Sequence, residues 1–129
     1  MSELEPEVTL DDSELEVPST LAILPLKETV VFPQSVSPLA IGQERSVKLV
    51  DDVVAGDRML ALVTVREGSE AEQPGWDDLH EVGTAAVVHK MLKVPDGTQR
   101  ILVQGIERIR LVKPSGDDPY LLGERRRRR

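Results

Sequence analysis

Apolar and polar residues alternate along this chain with a period that changes several times. The stretch LAILPL (21–26) is short, apolar and strand-like. Pro25 cannot donate a ladder hydrogen bond, which predicts a strand at a sheet edge or one that ends in a kink. Residues 30–41, VVFPQSVSPLAI, read as an extended segment with a turn at Pro33-Gln34-Ser35 and then a second strand, VSPLAI. The pattern then turns helical. In QERSVKLVDDVVA (43–55), Val47, Val50 and Val54 fall at i, i+3 and i+7, with Leu49 and Val53 beside them and charges mostly opposite. Gly56 is the expected stop. RMLALVTVRE (58–67) is nearly continuous in apolar residues and rich in β-branched ones, as a buried strand is.

The loop GSEAEQPGW (68–76) precedes DDLHEVG (77–83), which suits one helical turn or a short strand. GTAAVVHKMLKV (83–94) reads as a strand, Pro95-Asp96-Gly97 as a tight hairpin turn, and TQRILVQG (98–105) as the returning strand. IERIRLVK (106–113) follows as another. A lone glycine between two strand patterns marks a bulge or sharp bend, so Gly105 is where a small barrel would turn a corner. The expected fold is mainly β, about six strands with one or two helices, closed into a small and strongly bent barrel.

Composition narrows this further. The 129 residues suit one domain, and Phe32, Trp76 and Tyr120 are its three aromatic residues, so the core must be built from Val, Leu, Ile and Ala. With no cysteine, disulfides, zinc-thiolate sites and thiol catalysis are excluded. No apolar run approaches the roughly 20 residues of a membrane span, and the acidic start MSELEPEV is neither a secretory leader nor a transit peptide. The expectation is a cytoplasmic protein that does not enter membranes. The net charge of -7 is unevenly spread. Residues 1–20 hold seven acids and no base, residues 125–129 are five arginines, and the stretch 21–124 has 11 bases against 16 acids. The predicted organisation is a disordered acidic tail at 1–18, a β domain at 19–113, and a loop with a basic tail at 114–129. That tail is either a nonspecific polyanion binder or a cut end.

No catalytic set is evident. His80 and His89 could join Glu81 or Asp78 in a metal site, but an ordinary strand histidine and a polar-loop histidine account for them. Ser46 and Lys48 would not face one another at i, i+2 of a helix, and the acid pairs 51–52, 77–78 and 117–118 read as solvated. Phosphate loops, nucleophile elbows and zinc-protease helices are missing. Catalytic, cofactor and metal residues are therefore expected to be none. Specific nucleic-acid binding is also disfavoured, because the body is acidic and lacks a stacking platform.

LAILPLKETVVFPQSVSPLAIG, the helix, RMLALVTVRE, and DDLHEVGTAAVVHKMLKVPDGTQRILVQGIERIRLV together resemble the N-terminal domain of the Lon ATP-dependent protease family. The likeness covers about 21–112 and runs through Leu24-Pro25-Leu26, Val30-Val31-Phe32-Pro33, Pro38-Leu39, Gly42, Gly83-Thr84, Ala86, Pro95-Asp96-Gly97-Thr98, Leu102-Val103, Gly105 and Arg108. It implies a PUA-like pseudo-barrel. It also implies a role in bacterial-type protein quality control: binding unfolded or damaged polypeptides and supporting a hexamer, or self-association, for ATP-dependent proteolysis. The family's ATPase and Ser-Lys protease residues match no position here, so the chain alone is not expected to be an enzyme. A stand-alone PUA-like module binding RNA or protein is the alternative. Candidate polypeptide contacts are Phe32, Pro33 and Trp76, since a receptor for unfolded chains needs exposed apolar surface. For Phe32 the plainer expectation is a buried plug of the barrel. For Trp76 a lid over an edge and an exposed contact are equally open.

Overall fold

The computed structural model describes residues 17–27, 29–69, 74–117 and 119–126. Of the acidic tail predicted at 1–18, residues 1–16 lie outside them, as do residues 127–129 of the predicted basic tail. Strands β1 (Thr20–Leu26) and β2 (Val36–Ile41) are followed by helix α1 (Glu44–Ala55) and strand β3 (Met59–Thr64). A 3-10 turn (Trp76–Asp78) leads into β4 (Val82–Lys93), β5 (Gln99–Gly116) and β6 (Leu122–Arg125). The sheet order is β2-β5-β4-β3-β1-β6, and β5 also pairs with β6. That last pairing joins β1, β3, β4, β5 and β6 into a ring. β2 hangs from the first half of β5 and leaves the ring's flank open, giving a partially closed barrel.

The six strands are not the six read from the pattern. Residues 98–105 and 106–113 merge into β5, which continues through 114–116, and β6 lies where a loop and tail were expected. Leu121 is buried at its start, and Gly123 faces Leu21 across the β1–β6 ladder. Order also begins earlier than expected: Val17 is buried, and the Arg125 guanidinium donates to the carbonyls of Val17 and Pro18. Arg125 is therefore part of the barrel wall.

Gly105 is the predicted irregularity. Ala85 pairs with Glu107 while Ala86 pairs with Gly105, so Ile106 is the extra residue of a β-bulge. The bend lets one strand pair β2 over 99–104 and β6 over 111–116 along the same edge.

β1 is not an edge strand, because parallel β3 and antiparallel β6 flank it. Pro25 is nevertheless explained by position. The Ile23 N–H donates to Leu121 O at 2.9 Å on the β6 side. Two residues on, the Pro25 nitrogen faces that same side, where β6 no longer runs. Both faces of β1 and β3 are buried, which is why their sequences run apolar without alternation. One face joins Leu49, Val50 and Val53 of α1 and Val88, Ile101 and Val103 in a first core. The other joins Val17, Leu79, Ile106, Ile109, Leu111 and Leu121 in a second.

Candidate functional site

Between β1 and β2 the segment 29–35 crosses the face of the sheet. Three neighbouring strands hold its backbone. Thr64 Oγ1 on β3 donates to Thr29 O at 2.8 Å, and the buried Thr84 Oγ1 on β4 donates to Val31 O at 2.7 Å. On β5, the Gly105 carbonyl accepts from Gln34 N and the Gly105 N–H donates to Ser35 O, both at 2.9 Å. Gln34 Nε2 adds a bond to Ile106 O at 3.2 Å. Gly105 thus has a second reason beyond the bulge: a Cβ there would collide with the Phe32 carbonyl oxygen. The turn is closed by Ser35, whose N and Oγ both donate to Phe32 O. Gln34 sits at φ 71°, a left-handed conformation that costs a non-glycine residue about 1–2 kcal/mol and is held here by the bonds that its backbone N–H and its Nε2 donate to β5.

This anchoring fixes which side chains face out. Val31 is buried in the first core, while Val30 and Phe32 are 51% and 57% exposed and Pro33 is half-buried. The expectation that Phe32 plugs the barrel is therefore wrong. Its carbonyl faces the sheet, and extended backbone alternates, so its ring points to solvent. Across the ring lies the Arg108 guanidinium, 5.9 Å from the centroid, within range of a cation–π contact.

Beside Val30 opens a cleft of about 470 Å³, lined by Thr64, Arg66, His80, Glu81, Val82, Arg108 and Arg110. Arg108 and Arg110 stand opposite Thr84 and Val82 in the β4–β5 ladder, on one face of β5. Arg110 Nη1 donates to Glu81 Oε1 at 2.8 Å. Arg66 and Arg108 have no carboxylate partner among the described residues. Sequence reasoning missed this cluster. The outward arginines of ERIR were visible, but Arg66 joins them only through the β3–β4–β5 pairing.

Trp76 lies toward β6. Its ring is half-buried over β6, packs on the second core, and lies so near Gly123 that a Cβ there would stand 2.8 Å from Cζ3. It packs as a lid over β6, and it lines a smaller cleft with Arg66, His80 and Glu81, which also border the cleft beside Val30. A second cleft, of about 430 Å³, separates the free half of β1 from the free edge of β2. Gly105 N–H bonding to Ser35 O sets the β2 alternation, so Pro38 turns its nitrogen outward. Each strand bordering this cleft thus lacks a donor at a proline, which blunts it against strand addition.

The remaining polar candidates have structural occupations. His89 Nε2 lies 2.7 Å from Gln104 Oε1, and His80 is exposed beyond the Val65–Leu79 bridge. Asp51 accepts from the buried Gln99 amide, and Asp52 from Tyr120 and Lys48. Asp78 accepts from Gly75 N and Ser69 Oγ. Among the described residues no group of three His, Asp or Glu could hold a metal ion, and no helix is long and apolar enough to cross a membrane.

The chain thus combines a partially closed β-barrel with a displayed apolar segment and an arginine-lined cleft. Residues 20–127 match the family model of the ATP-dependent protease La (LON) substrate-binding domain, and the chain belongs to that family. It is 45% identical over 105 residues to Lon protease 1 of Herpetosiphon aurantiacus, covering 81% of this chain and 13% of that protein. Over 124 residues it is 37% identical to the Lon protease of Flavobacterium johnsoniae, covering 93% and 15%. The chain thus spans about one-seventh or less of these relatives, and what it matches is their substrate-binding domain, not their ATPase or protease domains. Its fold is similar to a Lon N-terminal domain protein from Xanthomonas campestris, with TM-score 0.66 at 20% identity over 84% of this chain and 59% of that one. The N-terminal domain of Lon protease from Mycobacterium avium complex gives 0.65 at 18% identity, over 85% and 55%.

Proposed function

We propose that this domain captures unfolded or damaged polypeptides through the segment Val30–Pro33, as the substrate-binding part of an ATP-dependent protease. The observation that carries this reading is the exposed Phe32. An aromatic side chain left in water forgoes about 1.5–3 kcal/mol of burial, and here the backbone beneath it is tied to three strands that keep it out. Such a surface serves a ligand that offers apolar side chains, which is what an unfolded chain has and a native one hides. Phe32 and Pro33 make the contact in this reading, and Trp76 supports the barrel. Support for a Lon-type hexamer and a cytoplasmic setting belong to the same reading, supported by the family match and the absence of cysteine. The chain supplies binding and no bond cleavage.

The test is titration of the domain with a reduced, alkylated and permanently unfolded protein, followed by anisotropy, beside the native form of that protein. Micromolar binding of the unfolded form alone is expected. Phe32→Ala should weaken it about tenfold or more, the affinity equivalent of one buried aromatic side chain. No binding at high micromolar concentration, or equal binding of both forms, would sink the reading.

A further inference from the structure

We propose that the cleft beside Val30 is a carboxylate subsite, so that this domain selects extended polypeptide segments in which an acidic group neighbours a large apolar side chain. This rests on the reading of Val30–Pro33 as a polypeptide-binding surface and adds a chemical preference to it. Charge is the first ground. Residues 21–124 carry 11 bases and 16 acids, a body that repels anions, yet this one cleft gathers Arg66, Arg108 and Arg110 against the single acid Glu81. Glu81 is occupied by Arg110, which leaves Arg66 and Arg108 without a carboxylate partner among the described residues. Two unneutralised guanidiniums in one concavity make a preformed fork for a carboxylate, which accepts paired N–H bonds in one plane.

Geometry is the second ground. Val30 lines the cleft, and Arg108 both lines it and lies 5.9 Å from the Phe32 centroid. An apolar side chain seated on Phe32 would thus place its neighbour's carboxylate at the arginines. A bound segment would also replace water around Arg108, and charge-assisted bonds strengthen as water leaves. The carboxylate can come from an Asp or Glu side chain or from a chain's C-terminus, and the two sources are separable.

The experiment uses the whole 129-residue chain and short labelled peptides sharing one Phe-Leu core. One carries Asp beside the core, one Asn, both with amidated C-termini, and a third carries Asn with a free C-terminus at the same spacing. Affinities are read by anisotropy at low and high salt. The Asp peptide should bind about fivefold tighter than the Asn peptide at low salt, the range of one exposed ion pair, with the difference shrinking at high salt. In Arg66→Gln, Arg108→Gln and the double variant the Asp-to-Asn ratio should fall toward one. Both arginines are exposed, so the fold should survive, and unchanged circular dichroism confirms it. Arg108→Lys should keep part of the ratio. If the free C-terminus gains as much as Asp, the subsite reads any carboxylate; if it gains nothing, the subsite reads side chains, and both results uphold it. Equal binding of Asp and Asn peptides overturns the subsite and leaves the polypeptide-binding reading standing. Failure of all the peptides to bind removes both. Displacement of the Asp peptide by an equal concentration of single-stranded RNA also overturns it, because the arginines would then serve phosphates.

Discussion

Gly105 is where local and long-range demands meet in one residue. Its backbone bends β5 at the bulge, bonds twice to the segment 29–35, and leaves room for the Phe32 carbonyl. The sequence showed the first of these, since a glycine between two strand patterns signals a bend. It could not show the other two, because residues 32 and 105 meet only in the folded barrel. The orientation of Phe32 escaped sequence reading for the same cause: Thr64 and Thr84 choose which face of the segment turns inward, and nothing in VVFP does. Gly105→Ala should therefore lower stability by about 1–3 kcal/mol in urea denaturation, as an overpacked contact does. It should also weaken binding of unfolded protein, because the collision lifts the turn that aims Phe32. An unchanged denaturation midpoint would mean that the segment shifts freely, and the account of a rigidly displayed Phe32 would fail.

Among the elements, α1, β3 and the β4–β5 hairpin were legible because each satisfies its pattern locally. The helix has its apolar stripe, the strand its β-branched run, the hairpin its Asp-Gly turn. β6 was not legible: LGER offers four residues with no apolar alternation, and the strand exists because β1 and β5 present two edges for it to join. The connection into β6 is fastened to α1. Arg45 donates to the carbonyls of Asp117 and Pro119, and Tyr120 Oη donates to Asp52 Oδ2 at 2.8 Å. Burial, then the hydrogen bond to Asp52 and that group's negative charge, push the Tyr120 hydroxyl up to about 12. The Tyr120 bond and, less strongly, Lys48 hold the Asp52 carboxyl below its usual value. An acid whose folded pKa is raised keeps its proton in the native state after the unfolded chain has lost it. The clasp therefore contributes in full below about pH 10, the ordinary tyrosine value, and is lost as pH rises toward 12. Tyr120 is the one tyrosine of the chain, so its ultraviolet titration reports this bond alone. The wild type should titrate late and lose stability over that alkaline window, and Tyr120→Phe should lack that increment of loss. A tyrosine that titrates at its ordinary value would remove the clasp from the argument.

At the scale of the whole molecule, the two cores are not two domains. β1 and β3 contribute alternate residues to both: Leu24 and Leu62 to the first, Ile23 and Ala61 to the second. Helix α1 covers the first core and Trp76 the second, so each core has its own reporter on opposite faces of the same strands. A strand cannot leave one core and stay in the other. Loss of β6 from the ring would uncover Leu21 and Ile23 of the second core and loosen the Tyr120 and Arg45 ties to α1 at the first. Unfolding should therefore be a single cooperative event, as is common for domains of this size. Helical circular dichroism and the fluorescence of the single tryptophan should give coincident urea transitions, with one midpoint and one slope. If the fluorescence changed at lower urea than the helix signal, the barrel interior would open before the α1 face. The segment 29–35, whose Val31 is rooted in the first core and whose Gly105 partner precedes the second-core residue Ile106, would then lose one of its moorings while the other held. A receptor that must present Phe32 and the arginine cleft in fixed relation needs both at once, so separate transitions would count against that presentation as well as against a cooperative barrel.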